Sequence, residues 1–92
     1  MALRQIAPSN VIAPVPLYFF DTRDNDIFVE DDVGIEFSDL GAVKDQAAVS
    51  LAELARDVLP GCERRNLAVE VRDGRQPVLH SILTFEAQVL AE

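Results

Sequence analysis

Cysteine, histidine and tyrosine each occur once in the 92 residues, tryptophan is absent, and lysine plus arginine number only 8 against 16 acids. Cys62 alone cannot form an intrachain disulfide, a thiolate zinc site or a CxxC redox pair, so a reducing, cytoplasmic compartment is the expectation. The bases are Arg4, Arg23, Lys44, Arg56, Arg64, Arg65, Arg72 and Arg75, and only Arg64 and Arg65 are adjacent. With a formal net charge of −8, the chain repels nucleic acid and anionic lipid, and neither is an expected partner. No segment approaches the ~20 apolar residues that cross a bilayer. The first residues, MALRQIAPSNVIAPVP, lack an apolar run long enough for a signal-peptide core, and Pro8, Pro14 and Pro16 interrupt what there is. Glycine is scarce too, with 4 residues, and no glycine-rich phosphate loop or nucleophile elbow can be traced.

What is present suits one folded domain. Hydrophobic residues make up 49% and charged residues 26%, ordinary values for a globular chain. Residues 1–14 read as a flexible N-terminal arm held extended by proline, whose Ile6, Val11 and Ile12 could add a strand or dock on a partner. Residues 15–92 read as a single α+β domain.

From Leu17 the pattern alternates. LYFFDTR places Tyr18, Phe20 and Thr22 on one side of a strand, with Leu17, Phe19, Asp21 and Arg23 on the other. DND is turn-forming, and IFVEDDVGIEF returns as a second strand, with EDD and Gly34 marking a bulge or second bend. SDLGAVKDQAAVSLAELARDVLPG then carries Leu40, Val43, Ala47, Leu51, Leu54 and Val58 at helical spacing. Ser38 or Asp39 serves as N-cap, Pro60 and Gly61 end the helix, and Lys44, Asp45, Glu53, Arg56 and Asp57 form a solvated outer face. After a polar link, CERRN, LAVEVRD alternates, GRQP turns, and VLHSILTFEAQVL alternates again with Leu79, Ser81, Leu83 and Phe85 opposite Val78, His80, Ile82 and Thr84. The order is ββαββ, and the economical architecture is a four-stranded antiparallel sheet with one helix packed on one face.

One helix leaves the other sheet face uncovered. That face should present Leu17, Phe19, Ala68, Glu70, His80 and Ile82, with Asp21, Arg23 and Arg72 around them. Apolar residues ringed by charges suit an interaction surface, and a two-fold homodimer would bury it with the fewest assumptions. The candidate interaction face is therefore Leu17, Phe19, Asp21, Arg23, Glu70, Arg72, His80 and Ile82.

Other chemistries fare worse. A calcium loop starting at Asp24 would need glycine at its sixth position, which is Val29, so the acids read as solvated turns and no metal or other cofactor is expected. A small metal-dependent enzyme would require the two acidic bends to meet in space. His80 is the sole histidine, Ser81 points to the opposite side of its strand, and Cys62 has no motif around it, so no enzymatic activity is expected.

The combination YFFDTRD…D…G…F.DL…A…A followed by LAVEVRD…G.PV…LTF resembles a family of small acidic proteins of rhizobia and related alphaproteobacteria, catalogued as a domain of unknown function. The resemblance covers about residues 17 to 86 and implies a bacterial cytoplasmic protein, with no activity or catalytic residue to carry over. A weaker likeness is to HicB-type antitoxins, whose Tyr-led strand and acidic or glycine turn precede a Pro-Asp-Leu-like segment. FSDLGAV stands at that place here, with Ser38 instead of proline, and no separate DNA-binding element is visible. It implies an antitoxin-like regulatory partner of another protein as the alternative function.

Overall fold

The computed structural model describes residues 15–91, so the N-terminal arm expected over residues 1–14 lies outside the described residues. The elements are β1 (Leu17–Asp24), β2 (Ile27–Val29), β3 (Ile35–Glu36), α1 (Leu40–Val58), β4 (Arg64–Asp73) and β5 (Gln76–Glu86). The fold is α+β, an antiparallel sheet in the order β2-β1-β4-β5 with one helix over β4 and β5.

The expected second strand is two short ones. β2 pairs with residues 22–24 of β1 and β3 with residues 17–18, along the same edge of β1, and the acidic bend lies between them. β4 begins at Arg64, so part of the expected polar link is strand, because Arg64, Arg65 and Asn66 pair with Glu86, Phe85 and Thr84. The β4–β5 turn is the two residues Gly74 and Arg75, with Gly74 at φ +65°, and Gln76 and Pro77 already belong to β5. A register shift there turns Val78 toward the core, correcting its expected place beside His80.

The core lies between α1 and one sheet face. Tyr18 and Phe20 from β1 and Leu67, Val69 and Val71 from β4 meet Val43, Ala47, Leu51 and Ala55 of the helix. Those helical positions recur every fourth residue, a single ridge whose two alanines let the backbone come close to the sheet. Leu40, expected on this face, sits in the first turn and is exposed, while Leu54 and Val58 pack at its margin. Burying each of Leu67, Val43, Val69 and Val71 contributes about 1.5–3 kcal/mol. Asp39 is the N-cap, its carboxylate accepting from the Ala42 amide at 2.8 Å.

Candidate functional site

The pleat sends the odd residues of β1 and the even residues of β4 and β5 to the side away from α1. All eight candidate residues, Leu17, Phe19, Asp21, Arg23, Glu70, Arg72, His80 and Ile82, share that face, together with Ala68. On it Asp21 lies directly opposite Glu70, a like-charge pair that would weaken the sheet if left alone. Each carboxylate is matched instead to a diagonal arginine. Arg23 Nε donates to Glu70 Oε2 at 2.9 Å and Arg72 Nε to Asp21 Oδ2 at 2.9 Å.

The two guanidiniums also stack on rings. Arg72 lies 4.5 Å from the centroid of Phe19, and Arg23 lies 4.6 Å from that of Phe28. Ala68, only 8% exposed, lies between Arg23 and Ile82 in the next row of the sheet. Leu17 and Ile82, 41% and 64% exposed, stand at opposite margins. His80 Nε2 is 3.7 Å from Glu70 Oε2.

The acidic bend has a structural task. Between the stretches of β1 paired with β2 and β3, the Phe20 amide finds no strand partner and donates to Asp31 Oδ2 at 3.0 Å. Asp31 Oδ1 accepts from the amides of Val33 and Gly34 at 3.0 and 3.3 Å, while its own amide donates to Asp21 Oδ1 at 2.8 Å. A side-chain carboxylate thus stands in for the missing strand carbonyl and closes the bend at once. Gly34, at φ +80°, completes it: a Cβ there would come within 3.0 Å of both Leu17 Cγ and Phe19 Cε1.

Arg72 ties this bend to the face. Besides Asp21, it donates to the carbonyls of Asp31 and Gly74, each at 2.8 Å, and reaches Glu30 at 3.3 Å. Asp21, 5% exposed, is the one buried charged residue among the described residues. At the sheet's far end Arg65 grips Asp24 with two bonds of 2.6 and 2.8 Å and donates to Cys62 Sγ at 2.9 Å, while that thiol donates to the Val58 carbonyl.

Of the acids at the bends, Asp24, Glu30 and Asp31 are engaged in these contacts, and Asp26 and Asp32 are exposed. Among the described residues no three histidine, cysteine or acidic side chains converge as a cation cage. The alternation of the sequence places the face. Asp31, Gly34, Phe28 and the Asp24–Arg65 pair escaped it, because their partners lie elsewhere in the chain. The only local hint was the carboxylate of Asp31 three residues before Gly34 in a strand-like run.

These contacts hold three carboxyls below their usual range. Hydrogen bonding from Arg65 dominates at Asp24 and from Arg23 at Glu70, both against an opposing burial effect. At Asp31 burial alone would push the carboxyl up, and the three amides together with Arg72 outweigh it. Depressed carboxyls stabilise the fold above their unfolded pKa, near 3.8 for aspartate and 4.5 for glutamate, and that stability goes as pH falls through the folded values. The thermal midpoint should therefore be level between about pH 7 and about pH 5 and drop below about pH 4. Calorimetric scans at each pH check this; an unchanged midpoint at about pH 3 would count against the assigned contacts.

Neither a curated protein nor a solved structure matches the chain. Residues 17–85, which take in the helix, the Asp31 bend and all but the last residue of the sheet, match the model of a domain of unknown function, DUF6894, and the chain belongs to that family.

Proposed function

We propose that the domain is a non-enzymatic protein–protein interaction module of the bacterial cytoplasm, and that it self-associates through the sheet face that α1 leaves uncovered. The carrying observation is charge. At the centre of the face Asp21, Arg23, Glu70 and Arg72 are paired with one another and add nothing to the net charge of −8, while Glu36, opposite Leu17, and Glu30, beside Arg72, stand at its rim. A second copy, equally acidic, meets least repulsion there. Because the ion pairs are already formed within one chain, stacking two faces leaves none of these four central charges without its partner. Ala68, Phe19, Leu17 and Ile82 supply the apolar contact, and two sheets packed face to face lie about 10 Å apart.

The lone thiol of Cys62, held within the chain by Val58 and Arg65, supports a reducing compartment. The rhizobial and alphaproteobacterial setting and the likeness to HicB-type antitoxins belong to the same reading at finer grain. An antitoxin-like partner would place a different protein on this face and leave the chain alone monomeric.

Leu17→Glu tests the proposal. Leu17 is exposed at the margin of the face and two strands from β5, so a carboxylate there should leave the fold intact and halve the molar mass measured by light scattering. A folded variant with the mass of the parent would remove the face as the contact.

A further inference from the structure

We infer a second contact between copies: the outer edge of β5 pairs antiparallel with the β5 edge of another chain, extending the sheet across a two-fold axis at Ser81. The two edges of the sheet are treated differently. The β2/β3 edge has strands of three and two residues, broken at Asp31 and flanked by Asp26 and Glu30. Short, interrupted and charged edges discourage pairing. β5 runs for 11 residues, and from Pro77 to Phe85 it carries no acid, lysine or arginine. Among the described residues nothing pairs with its outer side.

The hydrogen-bond phase of that edge is fixed. Ala87 N–H donates to the Glu63 carbonyl at 2.8 Å, in register with the β4–β5 ladder, so the odd residues of β5 turn their backbone groups toward β4. The amides and carbonyls of His80, Ile82 and Thr84 then point outward. Two identical edges related by a two-fold axis can pair only with residues of like parity opposed. The register that overlaps all 11 residues puts Ser81 on the axis.

Its side-chain pairs are self-complementary. On the helix side Leu79 of each copy meets Leu83 of the other, two side chains only partly buried within one chain. On the open side Ile82 meets His80, covering an exposed apolar residue. At the strand ends Arg75, which forms no ion pair among the described residues, comes beside Glu86 of the other copy. Antiparallel pairing thus joins a basic end to an acidic one, whereas a parallel arrangement would place like charges together.

This contact stands apart from the face proposed above and is compatible with it. Edge pairing has its axis perpendicular to the sheet and face stacking has its axis in the sheet plane, so the two together close a tetramer with helices outermost.

The test is a cysteine at the axis. Opposed residues at a non-hydrogen-bonded position have Cα atoms about 4.5 Å apart, within disulfide range. In a full-length chain carrying Cys62→Ser, Ser81→Cys should give a covalent dimer on air oxidation, and Ala48→Cys on the outer face of α1 should not. Thr84→Pro removes an outward amide without touching the β4 ladder and should halve the molar mass. Failure of Ser81→Cys to cross-link in a folded chain would overturn the edge contact, as would an unchanged mass for folded Thr84→Pro. Leu17→Glu separates the two contacts: the face fails alone if that variant leaves the mass unchanged while Ser81→Cys still cross-links, and the edge fails alone in the reverse case.

Discussion

Replacing Arg72 by methionine should be among the most destabilising single changes outside the hydrophobic core. The loss falls on Asp21, which would remain 5% exposed with no cation beside it. A buried carboxylate stripped of its partner costs about 3 kcal/mol. The reverse change should be milder. Asp21→Asn leaves Arg72 with Glu30 and the carbonyls of Asp31 and Gly74, and the amide oxygen can still accept from the Asp31 amide. Adding Asp21→Asn to the Arg72→Met chain should restore most of the stability. Urea unfolding of the single and double variants measures both effects, and a deficit that Asp21→Asn does not relieve would show that Arg72 acts through its stacking on Phe19 instead.

Asp31→Ala should cost nearly as much, about 2–3 kcal/mol, because the bend loses an ionised acceptor for three amides. Of these, the Phe20 amide matters most, since it faces the one break in the β1 edge ladder. The amides of Val33 and Gly34 lie nearer water and can be resolvated. The expected result is a chain that keeps α1 and the β1-β4-β5 ladder while residues 27–36 exchange their amide protons rapidly. Asp31→Asn, which retains one acceptor oxygen, should fall between. If exchange over that segment were unchanged in a folded Asp31→Ala chain, the carboxylate would not be what closes the bend. Only a backbone held at a positive φ would then remain, at Gly34.

Much of this architecture could be read from the sequence because its causes are local. Tyr18 and Phe20 alternate with Phe19 and Asp21, and the same period in LAVEV and LHSILTF sorts the two sheet faces without knowledge of the strand order. The N-cap at Asp39 and the stop at Pro60 and Gly61 bracket α1 for equally local reasons. What escaped the pattern depends on partners far along the chain. Asp31 looks like a solvated turn acid until the Phe20 amide, eleven residues away, is placed beside it. Arg64 and Arg65 look like a linker until Glu86 and Asp24 pair with them. Val78 alternates properly in the sequence and is turned by a bulge that only the β4 register reveals. Leu40 has the right spacing for the core, yet it belongs to the first turn and remains exposed.

The candidate face shows the same division. Its membership follows from alternation, but its character does not. Composition suggested apolar residues ringed by charges. Instead Asp21, Arg23, Glu70 and Arg72 are locked in diagonal pairs, with Leu17 and Ile82 at the margins. The centre of such a surface is charge-balanced without being greasy, and the proposed contact between copies would bury it with its ion pairs intact.

Self-association is the claim on which the rest depends. The direct measurement is the molar mass of the full 92-residue chain by size-exclusion chromatography with light scattering over a range of concentrations. The expected result is a mass at least twice the 10.1 kDa of one chain, falling by half in Leu17→Glu. A folded parent chain at 10.1 kDa at every concentration would contradict both contacts between copies, and the open face would then have to serve a different protein.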